Sequence, residues 1–229
     1  MNRQLEHILS KLSYTIDLVS LDELVNGRGV TAISLAVARE EVEPLRHAIL
    51  REKESGMVAS PTVGDIYQDF YQKTDFNDRD LLEALAKKLE KEISREVYKK
   101  SGLTPLVPID FKSRVIQHYV YNDKTFLYGI PPHYDHRAFV EIVAILLLEG
   151  DSLFYTANNK EGVNERFIDA NPMDIILMRG YQFGGQEDGR PVHYVKKILK
   201  KEGRTTLSFR IYSDNEEHLT TMRKAFSKV

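Results

Sequence analysis

The chain has 229 residues, 42% hydrophobic and 29% charged, with 32 basic and 34 acidic side chains and a formal charge of −2. That length suffices for one domain around a sizeable core, and the near-even charge gives no global pull towards nucleic acid or an anionic membrane. Cysteine is absent, which excludes disulfides, thiolate metal sites and cysteine nucleophiles. Residues 1–20 are broken by Glu6, Lys11 and Asp17, so they lack the apolar core of a secretion signal. The longest apolar run, residues 142–148, is too short to span a bilayer. A cytoplasmic protein with no membrane contact is expected. No repeat, low-complexity segment or Gly/Ser linker divides the chain, so residues 1–229 are read as one domain.

Residues 1–58 read as mixed, with helix commonest. Pro44 suits the first turn of a helix, which would place Leu45, Ala48 and Ile49 on one face and stop near Gly56. Residues 59–78, with Pro61, Gly64, Tyr67, Phe70, Tyr71 and Phe76, read as irregular, the aromatics packing helices against a sheet. Asp78 and Asp80 precede a strong helix whose apolar face is Leu82, Leu85, Leu89, Ile93 and Val97, ended by Gly102. Its charged residues, among them Glu83, Glu90, Glu92 and Glu96, read as a solvated outer face. Pro105 and Pro108 then turn the chain out of helix.

From residue 112 the hydrophobic period changes to two. Residues 112–121 predict a strand with Val115, Gln117, Tyr119 and Tyr121 on one face, and 122–124 a turn. Residues 139–148, apolar on both faces, predict a central buried strand. Residues 153–156 follow, with a hairpin turn at 158–162. Further strands are expected at 165–169, 174–178, 192–198 and 205–212, with a turn at 200–203 and an amphipathic helix over 215–226. A helical buttress over 1–110, a β core over 111–212 and a C-terminal helix over 213–229 describe a sandwich or barrel backed by helices.

Within that core, His133 and Asp135 lie two apart, so an extended backbone points both to one side and Tyr134 to the other. His193, on a distant strand, completes two imidazoles and a carboxylate, which occupy one face of an octahedron and leave three positions open. Arg204 follows His193 at the start of the next strand, where its planar fork suits a carboxylate. Thr206, Ser208 and Arg210 continue its face, and Tyr119 on a neighbouring strand offers a hydroxyl. His118 and His136 fall on the opposite faces of their segments, and His7, His47 and His218 carry no pattern.

At these residues the sequence resembles the Fe(II)/2-oxoglutarate-dependent dioxygenases, over about residues 111–212. The resemblance implies a double-stranded β-helix (jelly-roll) core. His133, Asp135 and His193 would then be the iron ligands, and Arg204 with Thr206 would take the place of the family's Arg-x-Ser motif on the distal carboxylate of 2-oxoglutarate. The family's Asn-x-Tyr becomes Gln117-His118-Tyr119 here, carrying Tyr119 over to the same co-substrate. It also implies consumption of O₂, decarboxylation of 2-oxoglutarate to succinate and hydroxylation of an unactivated C–H bond. A carboxylate at Asp135, where related halogenases have a small residue, implies oxygenation without halide.

A small molecule, such as a free amino acid, is the expected substrate, its carboxylate held by Arg137 or Arg210. An AlkB-like nucleic-acid demethylase is the alternative, because residues 204–210 resemble that family's Arg-x-Asn-x-x-x-Arg strand with Thr206 replacing Asn. The acidic charge and the lack of a basic, aromatic lid weigh against nucleic acid. A peptide or protein hydroxylase is the third reading. The glycines 184, 185 and 189 mark residues 180–190 as a candidate mobile loop beside His193.

Overall fold

The computed structural model describes residues 3–54, 56–59, 70–120, 128–196, 198 and 203–226. The chain begins with α1 (Arg3–Lys11), β1 (Tyr14–Thr15), α2 (Leu18–Val25), β2 (Val30–Leu35) and α3 (Arg39–Leu50). Two short strands, β3 (Val58–Ala59) and β4 (Tyr71–Lys73), lead to α4 (Arg79–Ile93), which runs on as a π-helical turn over Ser94–Lys99. Eight strands follow: β5 (Ser113–Tyr119), β6 (Tyr128–His133), β7 (Phe139–Glu149), β8 (Phe154–Ala157), β9 (Arg166–Ile168), β10 (Ile175–Arg179), β11 (Val192–Lys196) and β12 (Arg204–Tyr212). Helix α5 (Glu216–Phe226) closes the described chain.

These strands form two antiparallel sheets. One has the order β1-β2-β10-β7-β12-β5-β4-β3, the other β6-β11-β8-β9. From β5 to β12 the chain passes repeatedly between the two, which makes the double-stranded β-helix expected from sequence. The first half is less purely helical than its sequence suggests. β1 and β2 extend the large sheet beyond β10, and β3 and β4 extend it beyond β5.

β7 explains why the sandwich holds. Its alternation sends Ile142, Ala144, Leu146 and Leu148 into a core shared with the helices. Val143, Ile145 and Leu147 enter the space between the sheets, beside Tyr119, Ile130, Phe154 and Val195. All seven are buried, each worth about 1.5–3 kcal/mol for the larger side chains. The pattern breaks once, at Glu141, whose φ is 58°. There a bulge separates the pairs Arg210–Val143 and Ile211–Val140 and frees the Glu141 carboxylate to accept from Tyr98 Oη at 2.9 Å, Gly184 N at 2.9 Å and Leu106 N at 2.5 Å.

Helix α3 starts at Arg39, ahead of the expected opening at Pro44. Glu40 and Glu41 favour its positive end, Val42 adds a buried contact, and the bond Pro44 cannot donate falls at exposed Glu40. The hairpin at 158–162 forms, closed by Asn158 N donating to Val163 O at 2.9 Å. Phe70 and Phe76 pack inwards while Tyr71 is exposed. Tyr67, Tyr121, the turn at 122–124 and residues 200–202 lie outside the described residues. No helix among the described residues is long and apolar enough to cross a membrane.

The charged side of α4 is a correction. Glu92 and Glu96 are only 2% and 4% exposed, and Glu90 is buried with them. They are acceptors for strands and loops that α4 covers. Tyr14 N donates to Glu92 at 3.3 Å, Ile16 N to Glu96 at 3.1 Å and Phe111 N to Glu90 at 2.8 Å. Lys88, Arg95 and Lys100 close over these carboxylates at 3.2, 2.7 and 2.6 Å. Glu92→Ala strands a buried N–H and two cations, so it should lower the unfolding free energy by about 3 kcal/mol. Glu83→Ala, which removes a half-exposed carboxylate paired with Arg114, should cost under about 1 kcal/mol. Urea midpoints of the two variants at equal slope test the contrast.

Candidate metal and carboxylate site

β6 ends at His133, and β11 pairs with it so that His193 stands opposite. Asp135 lies just past the strand end. The three side chains can each present a ligand atom within 4.8 Å of the others, with His193 Nε2 3.8 Å from Asp135 Oδ1. The imidazole centroids are 4.3 Å apart, and the Phe154 ring stacks on His193 at 5.5 Å and 14°.

The two histidines are held in the same way. His133 Nδ1 lies 2.8 Å from Pro131 O, and His193 Nδ1 lies 3.2 Å from Pro191 O. A carbonyl only accepts, so each Nδ1 carries the proton and each Nε2 keeps a lone pair, that of His193 lying towards Asp135. Burial, with His193 adding to it, pushes the His133 imidazolium down to about 3. Burial also lowers His193, against the opposing charge of Asp135. For Asp135 burial acts upwards, but His193, Arg210, His133 and Arg190 together hold the carboxyl below its usual range. The site thus presents two neutral imidazoles and a carboxylate, with Asp135 Oδ2 buried and unpartnered.

β12 runs between β5 and β7 and carries the polar face. Arg204 pairs with Tyr119, Thr206 with Gln117, and Arg210 with Ser113 across the β5 ladder. Arg204 is 1% exposed. Its guanidinium lies 5.0 Å over the Tyr119 ring, and its Nε donates to Ser152 O at 2.6 Å. No carboxylate among the described residues pairs with it, and one terminal nitrogen, Nη2, has no partner. Thr206 Oγ1 and Arg210 Nε are likewise buried and unpartnered. Ser208 differs, because its hydroxyl donates to Gln117 Oε1 at 2.9 Å. Tyr119 is fixed by Phe70, ring to ring at 4.9 Å, and by the bare backbone of Gly129, where a Cβ would sit 2.9 Å from its ring.

Other sequence candidates lie apart. Arg137 is 60% exposed, 3.9 Å from Asp188 and 5.6 Å from the Tyr181 ring centroid. His118 faces outwards to Thr205 Oγ1 at 2.9 Å, and His136 Nδ1 accepts from Ala138 N at 3.1 Å. The 180–190 loop is tied down by Glu141 at Gly184 and contains buried Phe183. Sequence reasoning missed Ser152, Phe154 and Arg190. It also passed over one visible signal: each histidine follows a proline by two residues, in Pro131-Pro132-His133 and Pro191-Val192-His193.

No protein-family profile and no curated protein matches the chain. Solved structures match it in shape. A prolyl hydroxylase from Trichoplax adhaerens, in complex with a peptide fragment of the hypoxia inducible factor oxygen degradation domain, is similar over 96% of this chain and 94% of its own. The identity is 11% and the TM-score 0.59. The fold is that of the 2-oxoglutarate–iron(II) oxygenases. An oxidoreductase of the 2OG-Fe(II) oxygenase family from Burkholderia pseudomallei matches over 84% and 87% of the two chains, at 11% identity and TM-score 0.54. SnoK, a non-haem α-ketoglutarate-dependent carbocyclase from nogalamycin biosynthesis, covers 90% of each at 12% identity and TM-score 0.54.

The depressed histidines set a pH dependence. An unfolded histidine titrates near 6.5, whereas His133 in the fold does so at about 3. The unfolded chain therefore binds protons first as pH falls, and stability drops from about 6.5 downwards. In metal-free protein the urea midpoint should fall between pH 7 and pH 5, and His133→Gln should make that fall shallower. An equal slope in the variant would show that His133 is not held neutral.

Proposed function

We propose that this chain is an Fe(II)- and 2-oxoglutarate-dependent oxygenase that hydroxylates an unactivated C–H bond of a small molecule, a free amino acid or similar metabolite. The observation that carries the proposal is a set of buried atoms without partners. Asp135 Oδ2, Arg204 Nη2, Thr206 Oγ1 and Arg210 Nε are all of this kind, and buried polar atoms are rarely left so. Together with two lone pairs on Nε2 atoms, they ask for a cation at one end and an anion at the other.

His133, Asp135 and His193 would hold Fe(II), a borderline cation suited to imidazole and carboxylate donors. Arg204 and Thr206 would take the distal carboxylate of 2-oxoglutarate, the guanidinium through Nη2 and the threonine through its hydroxyl. Tyr119 would lie beside that carboxylate. A metal held there would activate O₂, the four-electron oxidant, with 2-oxoglutarate giving two of the electrons as it becomes succinate and CO₂ and the C–H bond giving the other two. The chain's part is to fix positions and exclude water. Ile145, Leu147 and Phe154 make the surroundings apolar, which strengthens each charge contact within them.

Charge also favours an anionic group on the substrate. Asp135 brings one negative charge, and Arg204 and Arg210 bring two positive ones. A divalent metal with a dianionic co-substrate leaves one positive charge over, and Arg210 lies near enough to Asp135 to lower its pKa. A carboxylate on Arg210 would complete the balance. Arg137 could meet such a group only from the rim, because it is largely exposed.

The test is to assemble protein anaerobically with Fe(II) and 2-oxoglutarate, admit O₂ and measure succinate across amino acids, small metabolites, peptides and methylated oligonucleotides. An amino acid or other small carboxylate should stimulate turnover, and Asp135→Gly should abolish it. Arg204→Gln should raise the 2-oxoglutarate requirement by about 100-fold, as expected for loss of a charged pair. Stimulation by oligonucleotides alone would overturn the substrate reading. Failure to bind iron or consume 2-oxoglutarate would overturn the enzyme reading.

A further inference from the structure

The two histidines and the aspartate are not held alike. His133 and His193 sit in a ladder, paired with one another. Asp135 follows the end of β6, and residues 134–136 have no regular structure. Its backbone carbonyl accepts instead from the Arg190 guanidinium, across 55 residues. Arg190 is the only side chain among the described residues seen to donate to the Asp135 backbone.

That guanidinium has little freedom. Asp188 grips it twice, Oδ1 on Nε at 2.7 Å and Oδ2 on Nη2 at 2.6 Å. The Tyr134 and Tyr181 rings lie beside it, with centroids 5.9 and 5.6 Å from its central carbon. Tyr181 is fixed in turn, because its backbone N donates to Phe139 O at 2.9 Å and its O accepts from Glu141 N at 3.1 Å. The Arg190 side chain is 11% exposed. A long cation held by a bidentate carboxylate and two rings is an expensive way to satisfy one carbonyl. Its place in the chain gives it a use, since Arg190 lies three residues before His193.

We infer that Arg190 is a positioning residue for the metal site: it clasps the Asp135 segment to the loop that enters the His193 strand and so sets the carboxylate at ligand distance from both imidazoles. The inference rests on the proposed metal site. Arginine suits this use because its fork serves Asp188 through one edge while Nη1 still reaches the carbonyl. Lysine has one nitrogen and no fork, so it would keep the charge and lose one of the two attachments.

The test uses Co(II), without co-substrate, titrated into full-length protein by calorimetry and by its visible absorption. Arg190→Ala should weaken Co(II) binding by about 10- to 100-fold, as loss of the support of a ligand does, and alter the absorption of the bound ion. Arg190→Lys should recover part of the affinity. Arg39→Ala, which removes a partly exposed ion pair at Asp174 3.3 Å long, serves as the control and should leave Co(II) affinity unchanged. If Arg190→Ala does not fold, Arg190→Lys decides: wild-type affinity and spectrum in that variant overturn the inference. Equal affinity in Arg190→Ala and wild type overturns it too, with the metal site intact. Absence of Co(II) binding by the wild type overturns the metal site itself.

Discussion

The register of β11 on β6 is the constraint on which the site depends. Pairing His193 with His133 puts both imidazoles on the inner face, and a slip of one residue would turn every β11 side chain to the other side. The outer face resists that slip. Val192 and Tyr194 pack there with Ala157, Tyr128 and Tyr155. Tyr194 meets Tyr128 edge-on at 5.6 Å and stacks on Tyr155 at 5.5 Å, while its hydroxyl donates to Glu165. Val195 anchors the inner side in the core between the sheets. Cross-strand aromatic contacts of this kind contribute about 0.2–1 kcal/mol each, and here they fix which face holds the imidazoles.

The larger sheet supplies the polar face around Arg204 by a different logic. β12 is flanked on both sides, so its backbone is satisfied by β5 and β7 without help from its side chains. Leu207, Phe209 and Ile211 fill the helix-side core. That leaves Arg204, Thr206, Ser208 and Arg210 free to face inwards. Gly150 permits the tight approach at the head of the strand: a Cβ there would lie 2.2 Å from Gly203 O. The positive φ of Gly150 and of Gly203 would strain any other residue. These two glycines let Arg204 begin its strand beside Ser152, whose carbonyl takes the guanidinium Nε.

Much of this is legible in the sequence where the information is local. The i and i+2 spacing of His133 and Asp135, the apolar run that became β7 and the alternation of β12 are all periodic signals. What escaped is non-local or carried by backbone. β2 shows mixed burial and needs β10 beside it to be a strand. Glu92 and Glu96 have the helical spacing of solvated charges, and their acceptor role depends on N–H groups 78 and 80 residues away. Arg190 lies in an aperiodic segment, and its partner is a carbonyl, which no side-chain pattern announces. The bulge at Glu141 interrupts an otherwise regular strand to tie down the loop before β11. That loop reads as mobile from its glycines because the tie comes from another strand.

A site built this way works against the stability of its own fold. Burying Arg204 without a carboxylate carries a desolvation cost, and each unpartnered polar atom around Asp135 and Thr206 adds to it. The inter-sheet core would be more stable with apolar residues of the same size in those places. Apolar packing on both faces of β7 offsets that cost elsewhere in the fold. Four of the buried, unpartnered side-chain atoms therefore lie where chemistry is proposed. Any dianion and cation that satisfied these atoms would bind the folded chain alone, so their binding free energy would add directly to folding stability. The same unpaired atoms that weaken the isolated fold are thus what would make it selective for a charged pair of that size and sign.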